Sequence, residues 1–562
     1  MFRAGARVLV ALLLPVAAVA AGRAVPLAEA VKHRDLDAVR ALLQQRVDVN
    51  ASEPDGSTAL HWAAHQGDAD AVDLLLRAGA SADAANRYGA TPLALAAANG
   101  NATVVERLLE GGADPGTTWP GGETVLMTAA RAGRLDAVRV LLAHQGTASR
   151  SGRQGTAPSR SGRQGTAPSR SGREGTAPSR SGRQGADVNA REATRGQTAL
   201  MWAAAEGHAD VIRALVGAGA DMRAVSHGPS GVKDPDKVAK SSNSRYERRP
   251  VPRLDRFTSL QFAVHAGQIE AARALIDLGA SLADETPEGM GLVTLAIANA
   301  HYELAAVLAE KGADVNAAKV GFAPLHQLVR VRTLNIGQFF PPVPTGRLTA
   351  PELAKVLIQR GADVDARTTK GFPDGHRFAF GLNATPFLLA AKGGDVPMMQ
   401  VLAEHGADVR AVNANGTNAI MAAAGVEMFN PNEDSGTDAD GLAALKLAVE
   451  LGAGDINAAN KDGNTALHGA VFRTTTDAIK FLVETGARLD VKNKPKCVYS
   501  AGCSGQNPEG YTPYGLAVGG LGMLGSYRPE AAALLRELMI ARGLTPEAKE
   551  DKDKYSFGVT VK

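Results

Sequence analysis

Three histidines in this 562-residue chain stand in closely similar contexts and are the first candidates for chemistry. His326 follows Ala-Pro-Leu, and both His61 and His468 follow Thr-Ala-Leu, so all three occupy one position of a recurring stretch. A metal or catalytic site needs several different groups that converge on one point, whereas a residue recurring at one repeat position is typical of structure. The pattern therefore favours a structural role over a metal-binding or catalytic one.

Cys497 and Cys503 are the two cysteines of the chain, and they lie in a stretch rich in Gly, Ser and Pro. A disulfide that closes this loop is the favoured interpretation if the protein is exported. The alternative is a metal site, but no two further ligands lie nearby, and no Cys-x-x-Cys-His sequence for haem attachment occurs. We therefore predict neither a metal nor a cofactor.

Sequence signatures of common enzymes are missing from the chain. It has no His-Glu-x-x-His, no Gly-x-Ser-x-Gly and no Gly-x-x-x-x-Gly-Lys, and most of its aspartates fall in predicted turns. We therefore predict no catalytic residues. One alternative stays open, an enzyme whose site is assembled from the loops that carry Phe339, Asn430 and Tyr527.

Positive charge is concentrated in two polar stretches. Residues 147–185, a nine-residue unit followed by three similar decamers, contain eight Arg and one Glu, and residues 229–256 contain eight Lys or Arg and four Asp or Glu. Such loops could attach to anionic envelope material, which is the second function that we consider. The decamers carry no aromatic residue for base stacking, so nucleic acid is not an expected partner.

The first 21 residues resemble a secretory signal peptide. Arg3 and Arg7 precede the apolar run Val8–Leu14, and Ala18-Val19-Ala20 is a small-residue cleavage sequence. A membrane anchor is the alternative, but the whole apolar stretch, from this core to about residue 21, has about 14 residues and includes Pro15, whereas a spanning helix needs roughly 20. The sequence therefore predicts export to the periplasm or the medium, with no transmembrane segment after cleavage.

The elements that position these residues are most evident in the 33-residue stretch 57–89. Leu60, Ala63 and Ala64 form one apolar face at helical spacing, and Gly67 breaks that helix. A second apolar helix contains Leu74–Leu76 and ends before a glycine. Two short helices cannot bury their own apolar faces, so the unit requires similar neighbours.

This stretch resembles the ankyrin repeat in Thr58-Ala59-Leu60-His61, in Ala63-Ala64, in Gly67, in Leu74–Leu76 and in Gly79-Ala80. About twelve copies follow one another along the chain. The resemblance implies an all-α, ankyrin-type solenoid of about twelve stacked helix-turn-helix repeats with short projecting turns, over residues 22–546. It also implies that the three histidines make hydrogen bonds between layers.

Several segments interrupt or follow the predicted repeats. The decamer stretch and the second basic stretch are two of the inserts, and we expect the decamer stretch to be disordered because it has no apolar face. Residues 547–562 form a charged tail. The remaining predicted insertions are residues 332–348, 425–440 and 495–510.

The resemblance implies a non-catalytic scaffold that binds other proteins through turn tips and first helices. Candidate contacts are Arg87 and Tyr88 on one turn, Trp119 on another, and His65 and Gln66 at the end of a first helix. Exposed aromatic residues are favoured interface anchors, although a tryptophan in a loop often lies against its own surface. The partner and the oligomeric state remain open.

Overall fold

Twelve consecutive pairs of helices form the part of the chain that this computed structural model describes, which is residues 25–144, 185–228, 255–333, 342–370, 382–428, 436–494, 510–519 and 528–546. The first helices are α1 (Pro26–Lys32), α3 (Ala59–Gln66), α5 (Pro92–Asn99), α7 (Val125–Arg131), α9 (Ala199–Glu206), α11 (Ser259–His265), α13 (Leu292–Ala298), α15 (Pro324–Thr333), α17 (Pro386–Lys392), α19 (Ala419–Ala424), α21 (Ala466–Arg473) and α23 (Pro513–Gly519). The second helices are α2 (Leu36–Gln44), α4 (Ala69–Arg77), α6 (Ala102–Glu110), α8 (Leu135–Ala143), α10 (Ala209–Gly217), α12 (Ile269–Asp277), α14 (Tyr302–Glu310), α16 (Ala350–Gln359), α18 (Val396–Glu404), α20 (Asp438–Glu450), α22 (Thr476–Glu484) and α24 (Pro529–Ala541). These pairs confirm the predicted all-α class and the ankyrin-type helix-turn-helix repeat.

The second repeat shows why each pair forms where it does. Thr58 precedes α3 and forms a capping box with His61, which satisfies N–H groups that the first turn leaves free. Gly67 ends α3 with φ 73°, a left-handed conformation that costs glycine little. Asp68 then caps α4 by accepting a hydrogen bond from the N–H of Ala71 at 3.0 Å. Local signals in the sequence therefore set both helix boundaries.

Each repeat buries its apolar faces against its neighbours. Leu60 of α3 and Leu75 of α4 are both fully buried. Burying a leucine side chain contributes roughly 1.5–3 kcal/mol relative to leaving it exposed. Because much of that burial is against the next layer, a repeat depends on its neighbours for stability.

The chain divides into two compact units, residues 1–193 and 194–562. In the first unit the first helices α1, α3, α5 and α7 pack in succession, and so do the second helices α2, α4, α6 and α8. In the second unit the first helices from α9 to α23 pack in the same way. Among the described helices, none has both the length and the hydropathy that a bilayer-spanning helix needs.

The turns between repeats share one backbone feature. The residue three positions before each first helix, from α3 onward, has a positive φ, and in nine turns it is a glycine: Gly56, Gly89, Gly122, Gly196, Gly289, Gly321, Gly416, Gly463 and Gly510. Asn383 (φ 54°) and Arg256 (φ 63°) occupy the same position before α17 and α11. Asparagine tolerates this conformation better than most residues, whereas a long side chain is uncommon there. Arg256 is therefore the exception among these turns.

The predicted inserts lie partly in the described chain. Helix α15 runs through Thr333, so the first residues of the predicted insert 332–348 are helical. Within the predicted insert 425–440, residues 425–428 are ordered against the repeats, and α20 begins at Asp438 after a capping box made by Thr437. The predicted signal segment, residues 147–184, Cys497, Cys503 and the tail 547–562 lie outside the described residues.

Candidate functional site

The first unit has a surface where projecting turns meet first helices, and we call it the turn–helix face. Three of its residues form one network. The indole N–H of Trp62 donates to the Glu53 carboxylate at 2.6 Å, and the Lys32 ammonium donates to the same carboxylate at 2.5 Å. The Lys32 nitrogen also lies 4.6 Å from the centroid of the indole ring. The hydrogen bond that Lys32 donates to Glu53 is the main cause that raises the pKa of Lys32, so this residue is a cation.

Trp119, a predicted contact, lies on this face and is half-buried. Its backbone N–H donates to the Glu123 carbonyl at 2.9 Å, and its indole N–H donates to the hydroxyl of Thr128 in α7 at 3.1 Å. The ring therefore folds back on its own repeat. Glu123 also pairs with Arg131 at 3.1 Å, so polar groups surround the indole.

Arg87 and Tyr88, also predicted contacts, project from the turn between the second and third repeats. Tyr88 is 69% exposed, although an aromatic ring of this size is normally at least half covered. The backbone N–H of Arg87 donates to the carbonyl of Asp55 in the preceding turn at 2.8 Å. The guanidinium of Arg87 makes no ion pair within the described residues. The turn is thus fixed at its backbone and free at both side chains.

The other two predicted contacts lie at the end of α3. His65 is exposed, its ring meets that of Trp62 edge-on at 6.3 Å, and the Asn99 side-chain amide donates to its carbonyl at 2.7 Å. Gln66 is more engaged, because its amide donates to the Lys32 carbonyl in the preceding repeat at 2.9 Å. The structure therefore assigns Gln66 to the joint between repeats and leaves His65 at the surface.

The three histidines in equivalent positions make the predicted bonds between layers. Each ring accepts the N–H of the residue that caps its helix through Nδ1, at 3.0–3.2 Å, and its Nε2–H donates to a carbonyl of the next repeat at 3.0 Å. Burial lowers the pKa of His61, and it lowers the pKa of both His326 and His468 to about 4. All three rings are therefore neutral, and both nitrogens of each ring are occupied. This arrangement confirms their structural role.

One surface feature was missed at the sequence level. Residues 425–428, here called the Gly425–Met428 segment, follow α19 and pack against the turn before α19 and against α21. Val426 is only 3% exposed, and the Glu427 carboxylate accepts hydrogen bonds from Asn413 at 2.7 Å, Asn415 at 2.5 Å and Thr417 at 3.0 Å. These three residues precede α19, so Glu427 reaches back along the whole helix to its own turn.

The next repeat is shaped to receive this segment. Gly469 of α21 occupies the helix position that Trp62 fills in α3, and a Cβ at Gly469 would lie 2.7 Å from the Val426 nitrogen. Only a residue without a side chain leaves room for the segment there. In the sequence, the sign of this packing is that Gly469 stands at the position where the second repeat has Trp62.

Buried arginines are a second feature that sequence reasoning missed. Arg332 in α15 forms a paired hydrogen bond with Asp395, with N–O distances of 2.5 and 2.9 Å, and the Asp395 side chain is 4% exposed. This bond raises the pKa of Arg332. Arg473 at the end of α21 is also buried and donates to the carbonyl of Thr437 at 3.0 Å. Both arginines tie the end of a first helix to a neighbouring repeat.

The described residues bring together no group of three or more side chains suited to hold a metal ion. The loop residues of the alternative enzyme site, Phe339, Asn430 and Tyr527, lie outside the described part of the chain. Of the two sets of candidate residues, the structure therefore describes only the predicted protein-binding residues. Arg87, Tyr88 and Trp119 lie in turns of the first unit, and His65 and Gln66 lie at the end of α3.

Sequence comparisons agree with this geometry. The family described as "Ankyrin repeats (3 copies)" matches residues 27–119 and 95–158, and the family "Ankyrin repeat" matches residues 195–227, 383–414 and 462–494. "Protein fem-1 homolog A" of Bos taurus is 35% identical over 96 residues, which are 17% of this chain and 12% of that protein. Human "Ankyrin repeat and KH domain-containing protein 1" is 30% identical over 126 residues, 21% of this chain and 4% of that protein.

Human "Palmitoyltransferase ZDHHC13" is 27% identical over 163 residues, 25% of this chain and 24% of that protein. In all three cases the chain matches a quarter or less of the relative's length, so the likeness concerns repeats and not whole proteins. The helix pairs, the repeated turns, the histidine bonds between layers and the matched segments lead to one assignment. The chain is an ankyrin-repeat protein.

Proposed function

We propose that the protein is a non-catalytic scaffold that binds other proteins and acts outside the cytoplasm. The single observation that carries the proposal is the turn of Arg87 and Tyr88, where a tyrosine that is 69% exposed stands beside a guanidinium that makes no ion pair with any described residue. Tyrosine and arginine are enriched among the residues that dominate protein interfaces. Their position on a rigid turn suits recognition.

Rigidity is the physical basis of the proposed mechanism. The backbone N–H of Arg87 donates to the Asp55 carbonyl of the preceding turn at 2.8 Å, and within the turn itself the Tyr88 N–H donates to the side-chain oxygen of Asn86 at 3.0 Å. Binding then orders few groups, so little conformational entropy is lost on association. Trp119 would contribute the face of its ring while keeping its bond to Thr128.

The proposal that the scaffold is non-catalytic rests on its buried polar side chains, which take part in hydrogen bonds that hold the repeats together. The buried histidines have both ring nitrogens in structural bonds, and the buried Asp395 is paired with Arg332. A general base or nucleophile must reach a substrate, and these groups are committed to the packing of repeats. The proposed location outside the cytoplasm rests on the signal-like sequence of residues 1–21.

The test is cross-linking capture from the exported fraction of the source cells with purified protein. Tyr88→Ala should reduce recovery of the principal cross-linked protein several-fold, because an interface anchor of this kind contributes at least about 1–2 kcal/mol. Leu278→Ala is the matched control, since Leu278 is an exposed apolar side chain, 37% accessible, that caps the end of α12 in the second unit. Equal recovery of the cross-linked protein with the wild type and with Tyr88→Ala would show that this turn is not part of the interface.

A further inference from the structure

A cavity of about 770 Å³ lies among the turns of the fifth, sixth and seventh repeats, in the second unit. Its walls come from the turns before α11 and α13 and from the turn after α14. Met222, Val225 and Pro287 supply apolar surface, and Arg223 and Arg256 supply charge. The size is within the usual range for a ligand-binding recess.

The joint between the sixth and seventh repeats lacks the bond that the three histidines make to the next repeat. Gln261 in α11 occupies the position of His61, His326 and His468, and its Oε1 accepts the Thr258 N–H at 2.8 Å as the histidines do. Its Nε2 is buried and has no hydrogen-bond partner in the described part of the chain, although in the histidine repeats the equivalent nitrogen bonds the next repeat. Gln261 is 1% exposed and lines the cavity. A buried donor without a partner is rare in a folded protein and points to a role or a missing ligand.

The backbone of Arg256 is strained at the rim of this cavity. It has φ 63° in a position that is glycine in most other turns, and its N–H is fixed to the Ser226 carbonyl at 2.8 Å. A side chain in the left-handed region destabilises the turn, so an arginine there has no local advantage for folding. Its guanidinium makes no hydrogen bond or ion pair within the described residues. The strain is thus kept for a side chain that has no partner among the described residues.

The charges around the cavity leave two cations unmatched. Glu285 is paired with Lys319 at 2.6 Å, and Asp284 accepts a hydrogen bond from the Thr258 hydroxyl at 2.8 Å. Arg223, like Arg256, has a guanidinium without a partner in the described chain. Both acidic side chains of the wall therefore have polar partners, while both arginines are available.

We propose that this cavity binds an acidic segment of a partner protein, with Arg223 and Arg256 each pairing with a carboxylate. The guanidinium fork matches a carboxylate in two parallel hydrogen bonds and is weakly hydrated, so it suits a partly enclosed site. The apolar wall contacts the aliphatic parts of the segment. This inference rests on the proposed function, since it names the chemistry of a protein partner.

A peptide fits these observations better than an anionic polymer does. A polymer binds through many exposed cations along its length, and its binding depends chiefly on their number. Here the two arginines border a recess of limited volume with an apolar wall. A short segment with two carboxylates and some aliphatic surface complements that shape.

The test is fluorescence anisotropy of the full-length protein with a labelled Gly-Glu-Glu-Gly-Glu-Glu-Gly peptide. Arg223→Gln and Arg256→Gln should each weaken binding about 5- to 20-fold, because each removes a charge-assisted pair. Arg213→Gln is the matched control, because Arg213 lies on the exposed side of α10 and pairs with Asp210 at 2.8 Å. The control should bind the peptide as the wild type does, and a peptide with Lys in place of Glu should not bind.

Arg256→Gly separates recognition from structure. Glycine relieves the left-handed strain, so the melting temperature should stay equal or rise by about 1–2 °C while peptide affinity falls as in Arg256→Gln. A purely structural role for Arg256 would instead leave the affinity unchanged. That result would overturn the proposal.

Four further outcomes bear on the proposal. The proposal fails if the double variant Arg223→Gln/Arg256→Gln binds the peptide as the wild type does, or if dextran sulfate binds through these arginines and the peptide does not. Capture of the exported partner by this double variant at wild-type yield would also count against the acidic site. The scaffold function would then still stand. Arginine-dependent peptide binding without any captured partner would support the site and count against the scaffold function.

Discussion

Acidification should destabilise the second unit through two buried histidines. His326 and His468 are 0% and 2% exposed, and each ring accepts a backbone N–H at Nδ1, at 3.2 and 3.1 Å. Protonation of Nδ1 would replace this acceptor with a donor that faces another donor. It would also leave a charge among apolar side chains, which is costly.

The magnitude follows from the pKa values. Burial lowers the pKa of both rings from 6.5 to about 4, so as the pH falls the unfolded chain takes up these protons first. The stabilising contribution of each ring is therefore complete above pH 6.5 and is lost progressively as the pH falls towards 4. Each histidine should cost about 2 kcal/mol at pH 5 and about 3 kcal/mol below pH 4.

The assay is hydrogen exchange, measured by mass spectrometry at pH 7 and pH 5 on peptides that cover α15 and α21. Glutamine is the test substitution because Gln261 already occupies the equivalent position and accepts the cap N–H at 2.8 Å. The opening free energy of the wild type should fall between the two pH values by about 2 kcal/mol more than that of His326→Gln or His468→Gln in the corresponding helix.

His33→Gln is the control, because the His33 side chain is 77% exposed and lies in the first unit. This variant should show the wild-type dependence on pH. If the glutamine variants lose as much stability between pH 7 and pH 5 as the wild type does, the histidines are not the groups that titrate.

Further changes test the packing, a strained turn and an insert. Leu75→Ala should lower the free energy of unfolding by about 2–5 kcal/mol in urea titrations, whereas His65→Ala at the surface should cost far less; similar losses would contradict the assigned faces. Thr474→Gly should raise stability by about 1 kcal/mol, because Thr474 has φ 68° where α3 is followed by Gly67; a lower melting temperature would refute this. Deletion of residues 147–185 should leave stability equal or raise it by about 1–2 kcal/mol, since a shorter loop costs less closure entropy; a melting temperature several degrees lower would show that the segment packs on the repeats.

The helix pairs could be predicted because their signals are local. Thr58, Gly67 and Leu75 set the start, the end and the buried face of helices within one repeat, and the structure uses each of them in that way. The histidine bonds between layers could be predicted from the resemblance. The alignment of the repeats also predicts that Arg87 and Tyr88 lie on an exposed turn.

Contacts between distant residues could not be predicted. Arg332 and Asp395 are 63 positions apart, and only the register of two helices in neighbouring repeats brings them together. The direction of the Trp119 ring depends on the hydroxyl of Thr128, which a loop sequence does not specify. The partnerless Nε2 of Gln261 depends on how closely two layers approach, which is again a property of packing.

The Gly425–Met428 segment bears on how the chain can change in evolution. Repeat proteins gain and lose copies readily when each repeat contacts its neighbours through the same surface. Here Glu427 bonds the turn of its own repeat, and Val426 occupies the space above Gly469 in the following one. Duplication of the tenth repeat alone would place the Cβ of Ala422 against Val426, and duplication of the eleventh alone would leave the second copy of Gly469 uncovered. The tenth and eleventh repeats are therefore expected to be inherited as a pair, while changes in copy number occur elsewhere in the chain.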